Sequence, residues 1–214
     1  MESYVQNRYW SKTKPLNSPL DYAAIQPTLL AYPDGSIQTL CRTKSGRLTE
    51  CWSHDGGKKW SRMKRTQLPN PNAGVDGTVL ADGRALLVYN HTRSGRSPLT
   101  VYVPTNGKTW EAALVLENQP GEYSYPAVIK TSDGLVHISY AWRRERIKHG
   151  VVDPTELVSA PMADGAWPVA VREGGPARLL RSDLVMDHPP RCLLHTSDAA
   201  DDLTRLTPVS SVTI

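Results

Sequence analysis

The sequence predicts an all-β chain, a partial β-propeller of about three four-stranded blades. Three observations carry this. Ser53-His54-Asp55-Gly56-Gly57-Lys58-Lys59-Trp60 returns as a worn copy, Thr105-Asn106-Gly107-Lys108-Thr109-Trp110, about fifty residues later. Asp34-Gly35, Asp82-Gly83 and Asp133-Gly134 recur at about the same spacing. No helical periodicity of useful length competes between residues 20 and 153.

The elements follow from the Asp-Gly turns, the strongest short hairpin signal between alternating runs. Before each lies an extended segment: Pro27 to Ala31, Gly77 to Leu80, Pro126 to Ile129. After each lies an alternating one: Ile37 to Thr43, Ala85 to His91, Val136 to Trp142. A polar loop leads to a third: Arg47 to Trp52, Pro98 to Val103, Ile147 to Val152. The octapeptide turn then leads to a short fourth strand such as Ala113 to Leu116. In that turn, which Ser53 opens, Asp55 caps with its own side chain, Gly57 and Gly107 stand where a Cβ would clash, and Trp60 and Trp110 pack the turn on the sheet. These six residues are read as structural.

Composition narrows the function. With 214 residues there is enough chain for one sizeable core, filled without any Phe. No run approaches the roughly 18 apolar residues of a membrane span. The net charge of +4 is mild, and no basic stripe interleaves with stacking aromatics, so nucleic acid is not implied. Arg143-Arg144-Glu145-Arg146-Ile147-Lys148 reads as a solvated strand end. Cys41, Cys51 and Cys192 have no metal spacing and read as free thiols. Neither metal nor cofactor is expected.

A closed ring needs at least about four blades. Residues 1–168 are therefore expected to be the C-terminal part of a longer propeller. Met1 to Leu16 would begin in a preceding blade, with Tyr9-Trp10-Ser11 as the tail of its turn. Residues 169–214 show no repeat and are expected to be a non-native or disordered tail. Within it, Cys192 to Asp202 resembles translated sequencing-adapter sequence. His195, Asp201 and Asp202 are given no metal role.

Blade geometry puts strand-one starts and the loops between strands two and three on one rim. That rim collects Gln26, Asp76, Tyr123, Tyr125, Arg42, Asn90, His91, Trp142, Arg143, Arg96 and Arg144. Arginine binds carboxylates bidentately, and aromatics offer sugar rings a flat apolar surface. An anionic carbohydrate suits the mixture best. Taken singly, each Arg also reads as a surface residue or an inter-blade ion pair, Asp76 as a turn cap and His91 as a satisfied strand-end histidine. The reading rests on the cluster.

With the octapeptide (an Asp box) and the blade length, Ile25-Gln26-Pro27-Thr28, Leu40-Cys41-Arg42-Thr43, Val88-Tyr89-Asn90-His91, Tyr123-Ser124-Tyr125-Pro126 and Arg146-Ile147-Lys148-His149 resemble the sialidase superfamily with BNR repeats. The resemblance covers residues 1–168. It implies a six-bladed propeller and an exo-glycosidase with a Tyr nucleophile, because a carboxylate nucleophile would repel the sugar's own carboxylate. On it, Tyr123 corresponds to the nucleophile, Arg42 to the second and Arg96 to the third carboxylate-binding arginine. Gln26 stands where the Glu partner of the Tyr is expected, and an amide is no base. The first arginine and the acid Asp would lie in earlier blades, so this length of chain is expected to be inactive alone. Asp76, Asn90, His91, Tyr125 and Arg143 complete the expected sugar-binding set. Three alternatives stay open: a non-catalytic glycan-binding propeller, a hydrolase or lyase of uronic-acid or sulfated polysaccharide, and a protein-interaction propeller. An extracytoplasmic home for the parent is implied by the resemblance alone, and the oligomeric state is not legible.

Overall fold

The computed structural model describes residues 13–18, 20–104, 109–162, 167–168, 171 and 179–187, the last stretch as backbone. Three antiparallel four-stranded sheets follow one another along the chain. The first contains β1 (Ile25–Ala31), β2 (Ile37–Arg42), β3 (Arg47–Ser53) and β4 (Lys64–Pro69). The second contains β5 (Asp76–Val79), β6 (Ala85–Tyr89), β7 (Leu99–Pro104) and β8 (Trp110–Glu117). The third contains β9 (Tyr123–Lys130), β10 (Val136–Trp142), β11 (Arg146–Val152) and β12 (Leu179–Asp187). Within each sheet the strands are ordered as in the chain, as in a propeller blade. Every described element between residues 20 and 153 is a strand.

The three strand-one hairpins are built alike. Gly35, Gly83 and Gly134 sit at φ of +82°, +84° and +87°, a region that favours glycine. Their N–H groups donate to Tyr32, Leu80 and Thr131 carbonyls at 3.0, 3.1 and 3.0 Å. Each turn aspartate accepts from a backbone N–H two residues on: Ser36 at 2.9 Å, Arg84 at 3.0 Å and Leu135 at 3.1 Å. The Asp-box turn closes in the same way. Ser53 Oγ accepts from Gly57 N at 2.9 Å, Asp55 accepts from Lys59 N at 2.8 Å, and Trp60 Nε1 donates to Gly57 O at 3.0 Å. In the worn copy, Gly107 lies outside the described residues. Trp110 opens β8 and packs against the core between sheets one and two.

Two cores hold the sheets together. Leu30, Leu40, Leu48, Leu87, Tyr89 and Tyr102 pack between sheets one and two. Leu86, Val88, Val101, Tyr123, Ile138 and Tyr140 pack between sheets two and three. Alternation on β6 sends Leu86 and Val88 one way and Leu87 and Tyr89 the other. Buried tyrosines take the volume that Phe would fill.

The last strand lies beyond the boundary drawn from the sequence. β12 pairs along β11 from Arg146↔Asp187 to Val152↔Leu179. The sequence before it carries no Asp-box octapeptide, so the repeat grammar that located the other strands gives no signal for it. Cys41 and Cys51 are buried free thiols, and burial pushes the Cys51 thiol up to about 11. Tyr9-Trp10-Ser11, His195, Asp201, Asp202 and Cys192 lie outside the described residues.

Candidate functional site

The inner strands β1, β5 and β9 meet at the hub, and Asp76 ties them together. Its carboxylate accepts from Thr28 Oγ1 at 2.8 Å on β1 and from Val128 N at 2.7 Å on β9. Both oxygens are engaged in joining blades, which is where the structure leaves this expected sugar-binding residue.

Gln26, Gly74 and Tyr125 each stand eight residues ahead of their turn aspartate. The fold brings these equivalent positions together. A Cβ on Gly74 would lie 3.4 Å from Tyr125 Cδ1 and 3.8 Å from Gln26 Oε1. Gln26 and Tyr125 hold φ of +49° and +54°, an uncommon conformation for residues with a Cβ. Each stands at a register shift of its strand pair, and each precedes a proline. Such strain survives only where the surroundings over-determine it, and it clusters at ligand sites.

The bulge separates the two tyrosines. Tyr123 is 1% exposed, packed between sheets two and three with its ring centroid 6.5 Å from that of Trp142. A Cβ on Gly121 would lie 2.9 Å from its hydroxyl oxygen, so the turn before β9 lies over the phenol. Tyr125 instead reaches the hub, with the Arg96 guanidinium 5.7 Å from its ring centroid. Arg96 Nη1 is buried and has no hydrogen-bond partner among the described residues.

Arg42 is 1% exposed and donates from Nη1 to Asn72 O at 2.8 Å. Asn72 belongs to the loop that carries Gly74, so Arg42 braces the backbone that faces Gln26 and Tyr125. Asn90 is a fastener. Its amide nitrogen donates to the Arg96, Pro98 and Tyr123 carbonyls at 2.9, 3.1 and 2.9 Å. Arg143 lies over Trp142, 4.7 Å from a ring centroid. Arg143 and Arg144, at φ of +54° and +56°, are the central residues of the turn closed by Glu145 N donating to Trp142 O at 3.0 Å, within the three-residue connection between β10 and β11. That turn usually calls for Asn-Gly. Arg144 Nε meets Glu122 Oε1 at 2.6 Å.

His91 goes elsewhere. Next to Asn90 in sequence, it projects to the opposite face of sheet two. There its ring lies 5.2 Å from Tyr102, and Nδ1 is 2.6 Å from the Tyr89 hydroxyl. The structure thus gathers Gln26, Tyr125, Arg96 and the loop held by Arg42. It sets Tyr123 beneath a turn, Asp76 between blades and His91 on another face. Gly74 and Glu122 join the hub rim without having been singled out. Aligning Gly74 with Gln26 and Tyr125 on their turn aspartates would have found it.

Fold and site together define a partial β-propeller whose hub face presents arginine and tyrosine. A BNR repeat-like domain matches residues 3–138, more than half of the chain, and the chain belongs to that family. The anhydrosialidase of Macrobdella decora is 24% identical over 148 residues, covering 58% of this chain and 19% of the relative. The chain thus spans about a fifth of the length of that curated relative. Among solved structures, the intramolecular trans-sialidase of Ruminococcus gnavus, in complex with oseltamivir carboxylate, superposes with a TM-score of 0.52 at 20% identity over 64% of this chain and 32% of its own. The leech intramolecular trans-sialidase gives 0.51 at 22% identity over 64% and 23%. The Penicillium chrysogenum α-L-arabinanase with arabinobiose gives 0.50 at 17% identity over 68% and 52%. The fold is that of sialidase-like propellers, one shared with other glycoside hydrolases. No described helix is long and apolar enough to cross a membrane.

Proposed function

We propose that the hub face binds an acidic sugar, and that the whole protein is a sialidase-like exo-glycosidase releasing a terminal sialic acid or another acidic residue from glycans. The observation that carries this is Arg96: a buried guanidinium nitrogen without a partner among the described residues, beside a tyrosine held in a strained conformation at the hub. An unsatisfied buried donor costs about 1–3 kcal/mol, and a carboxylate satisfies it with a charge-assisted bond. Arg42 contributes by holding the loop opposite. Gln26 and Tyr125 offer an amide and a phenol to sugar hydroxyls.

Tyr123 remains the proposed nucleophile, and a substrate must displace the Gly121 turn to reach its hydroxyl. A Tyr nucleophile without a nearby base is weak, because its ordinary pKa is near 10. Gln26 supplies no base. These two facts favour a second reading, a propeller that binds acidic glycans without cleaving them. Hydrolase or lyase action on uronic-acid or sulfated glycans is the third.

The experiment is a substrate panel on the complete protein: a fluorogenic sialoside beside uronic-acid and sulfated glycosides, with Tyr123→Phe and Arg96→Ala variants. Turnover lost in Tyr123→Phe with ligand binding retained supports the enzyme. Binding lost in Arg96→Ala with no turnover from the parent supports the binding module. Neither binding nor turnover on any acidic sugar ends both.

A further inference from the structure

A groove of about 1290 Å³ runs between the outer parts of sheets one and two. None of Gln26, Arg42, Arg96, Tyr123 or Tyr125 lines it. Its floor is apolar, with Trp52, Leu68 and Trp110. Its charge is unbalanced. Arg47, Lys64, Arg65 and Arg93 line it against one carboxylate, Glu50. Glu50 is already spent: Oε2 accepts from Gln38 Nε2 at 2.6 Å and Trp52 Nε1 at 3.1 Å, and Lys64 lies 3.4 Å from Oε1. The other cations have no carboxylate partner among the described residues. Arg47 donates to the Gln67 carbonyl and amide oxygens at 2.8 and 3.0 Å, while the Arg65 guanidinium turns over the Tyr22 ring at 5.6 Å, a ring that does not line the groove. Arg93 is exposed.

We propose that this groove is a second, non-catalytic site for an acidic oligosaccharide, independent of the hub. Guanidinium groups along a cleft suit a chain that carries several carboxylates or sulfates. The apolar floor suits the C–H faces of sugar rings. Hydroxyl and amide side chains between the cations, Thr66, Gln67 and Thr92, match sugar hydroxyls better than a peptide backbone. Partly apolar clefts with a few placed polar groups are the usual form of small-ligand sites. A second site on one chain raises avidity for a polymeric glycan without altering the hub.

Calorimetric titration at low salt tests this, since screening weakens exposed charges. The probes are tetragalacturonate, neutral cellotetraose and a tetraglutamate peptide. The expected result is binding of tetragalacturonate alone. Arg93→Glu weakens it by on the order of tenfold, as reversal of a rim charge does when several pairs act together. Arg96→Ala removes any hub component and leaves the component that Arg93→Glu weakens within about twofold, as expected of distant sites. Arg93 is exposed, so its variant keeps the fold, and a thermal melt verifies that. Thr92→Ala gives a milder loss by the same assay. Equal binding of cellotetraose or tetraglutamate, indifference to Arg93→Glu, loss of all binding in Arg96→Ala, or no binding at all each overturns the proposal.

Discussion

The two ends of the inner strands behave differently. At the turn end, three hairpins make the same contacts: an aspartate on the N–H two residues on, and a left-handed glycine donating to the carbonyl three residues back. At the hub end, equivalent positions have diverged. Gln26, Gly74 and Tyr125 share one place in the repeat, and Thr28, Asp76 and Ala127 another. The turn end answers a question every blade faces, how to reverse the chain cheaply. The hub end is where blades touch one another and a ligand, so each blade contributes something different. The departures from the repeat, more than the repeat, mark function.

The sharpest attack on that contrast is at Gly77, which no other blade matches. Its equivalents are Leu29 and Val128. A Cβ there would stand 2.5 Å from Leu86 O on the paired strand and 3.2 Å from Leu30 Cδ2 across the blade interface. Backbone cannot yield as a side-chain tip can. Gly77→Ala should cost about 3 kcal/mol or more, as overpacking of a rigid core does, read as a fall in urea midpoint. Unchanged stability would mean that the middle blade holds its neighbours loosely.

Next is Asp76. Asp76→Ala removes two hydrogen bonds to a carboxylate and leaves the Val128 N–H without its acceptor. The expected loss is about 2–4 kcal/mol of stability, with the affinity of the surviving folded fraction for acidic sugar nearly unchanged. Affinity falling while the melt holds would make Asp76 a sugar ligand after all, as the sequence suggested.

How much of this was legible follows the same divide. The strands and hairpins were readable because Asp-Gly turns and alternation are local signals. Val136–Trp142 is found with the bounds the sequence gave it. The sides taken by Tyr123 and Tyr125 were not readable. Spaced two apart, they should share a face. A register shift opposite Ser139–Ala141 breaks the alternation, so Tyr123 enters the core while Tyr125 meets Arg96. The bulge depends on how β9 meets β5 and the 70–75 loop, which is tertiary information. His91 illustrates the converse: alternation placed it opposite Asn90, and counting it on the rim overlooked that. β12 was invisible because it is placed by pairing along β11, with no turn signal before it.

A smaller effect of opposite sign is expected at the β10–β11 turn. Arg143 and Arg144 both hold left-handed conformations that Asn and Gly adopt with less strain. Replacing the pair, Arg143→Asn with Arg144→Gly, should raise stability by about 1 kcal/mol, even though the Arg144–Glu122 ion pair is lost. Exposed pairs of this kind contribute about 0–1 kcal/mol. If Arg143 serves the hub ligand, acidic-sugar affinity falls as the melting temperature rises. A gain in stability with no loss of affinity would remove Arg143 from the site.

The smallest effect tests the turn end by pH. Hydrogen bonding from the Ser36 hydroxyl holds the Asp34 carboxyl below its usual range, and the Thr131 hydroxyl does the same for Asp133. The Lys59 N–H lowers Asp55. At Asp82 burial pulls upward, and the Arg84 N–H and guanidinium outweigh it. A carboxyl with a lower pKa when folded adds stability above its unfolded pKa, about 4. That stability is lost as pH falls through the folded value. Melting temperature should therefore hold between neutrality and about pH 4.5 and decline below, by a modest amount because these groups face solvent. Converting Asp34, Asp82 and Asp133 to Asn keeps an acceptor for each N–H while removing the titration, so the acid limb should flatten. An acid limb as steep as before would place the titrating groups outside the turns.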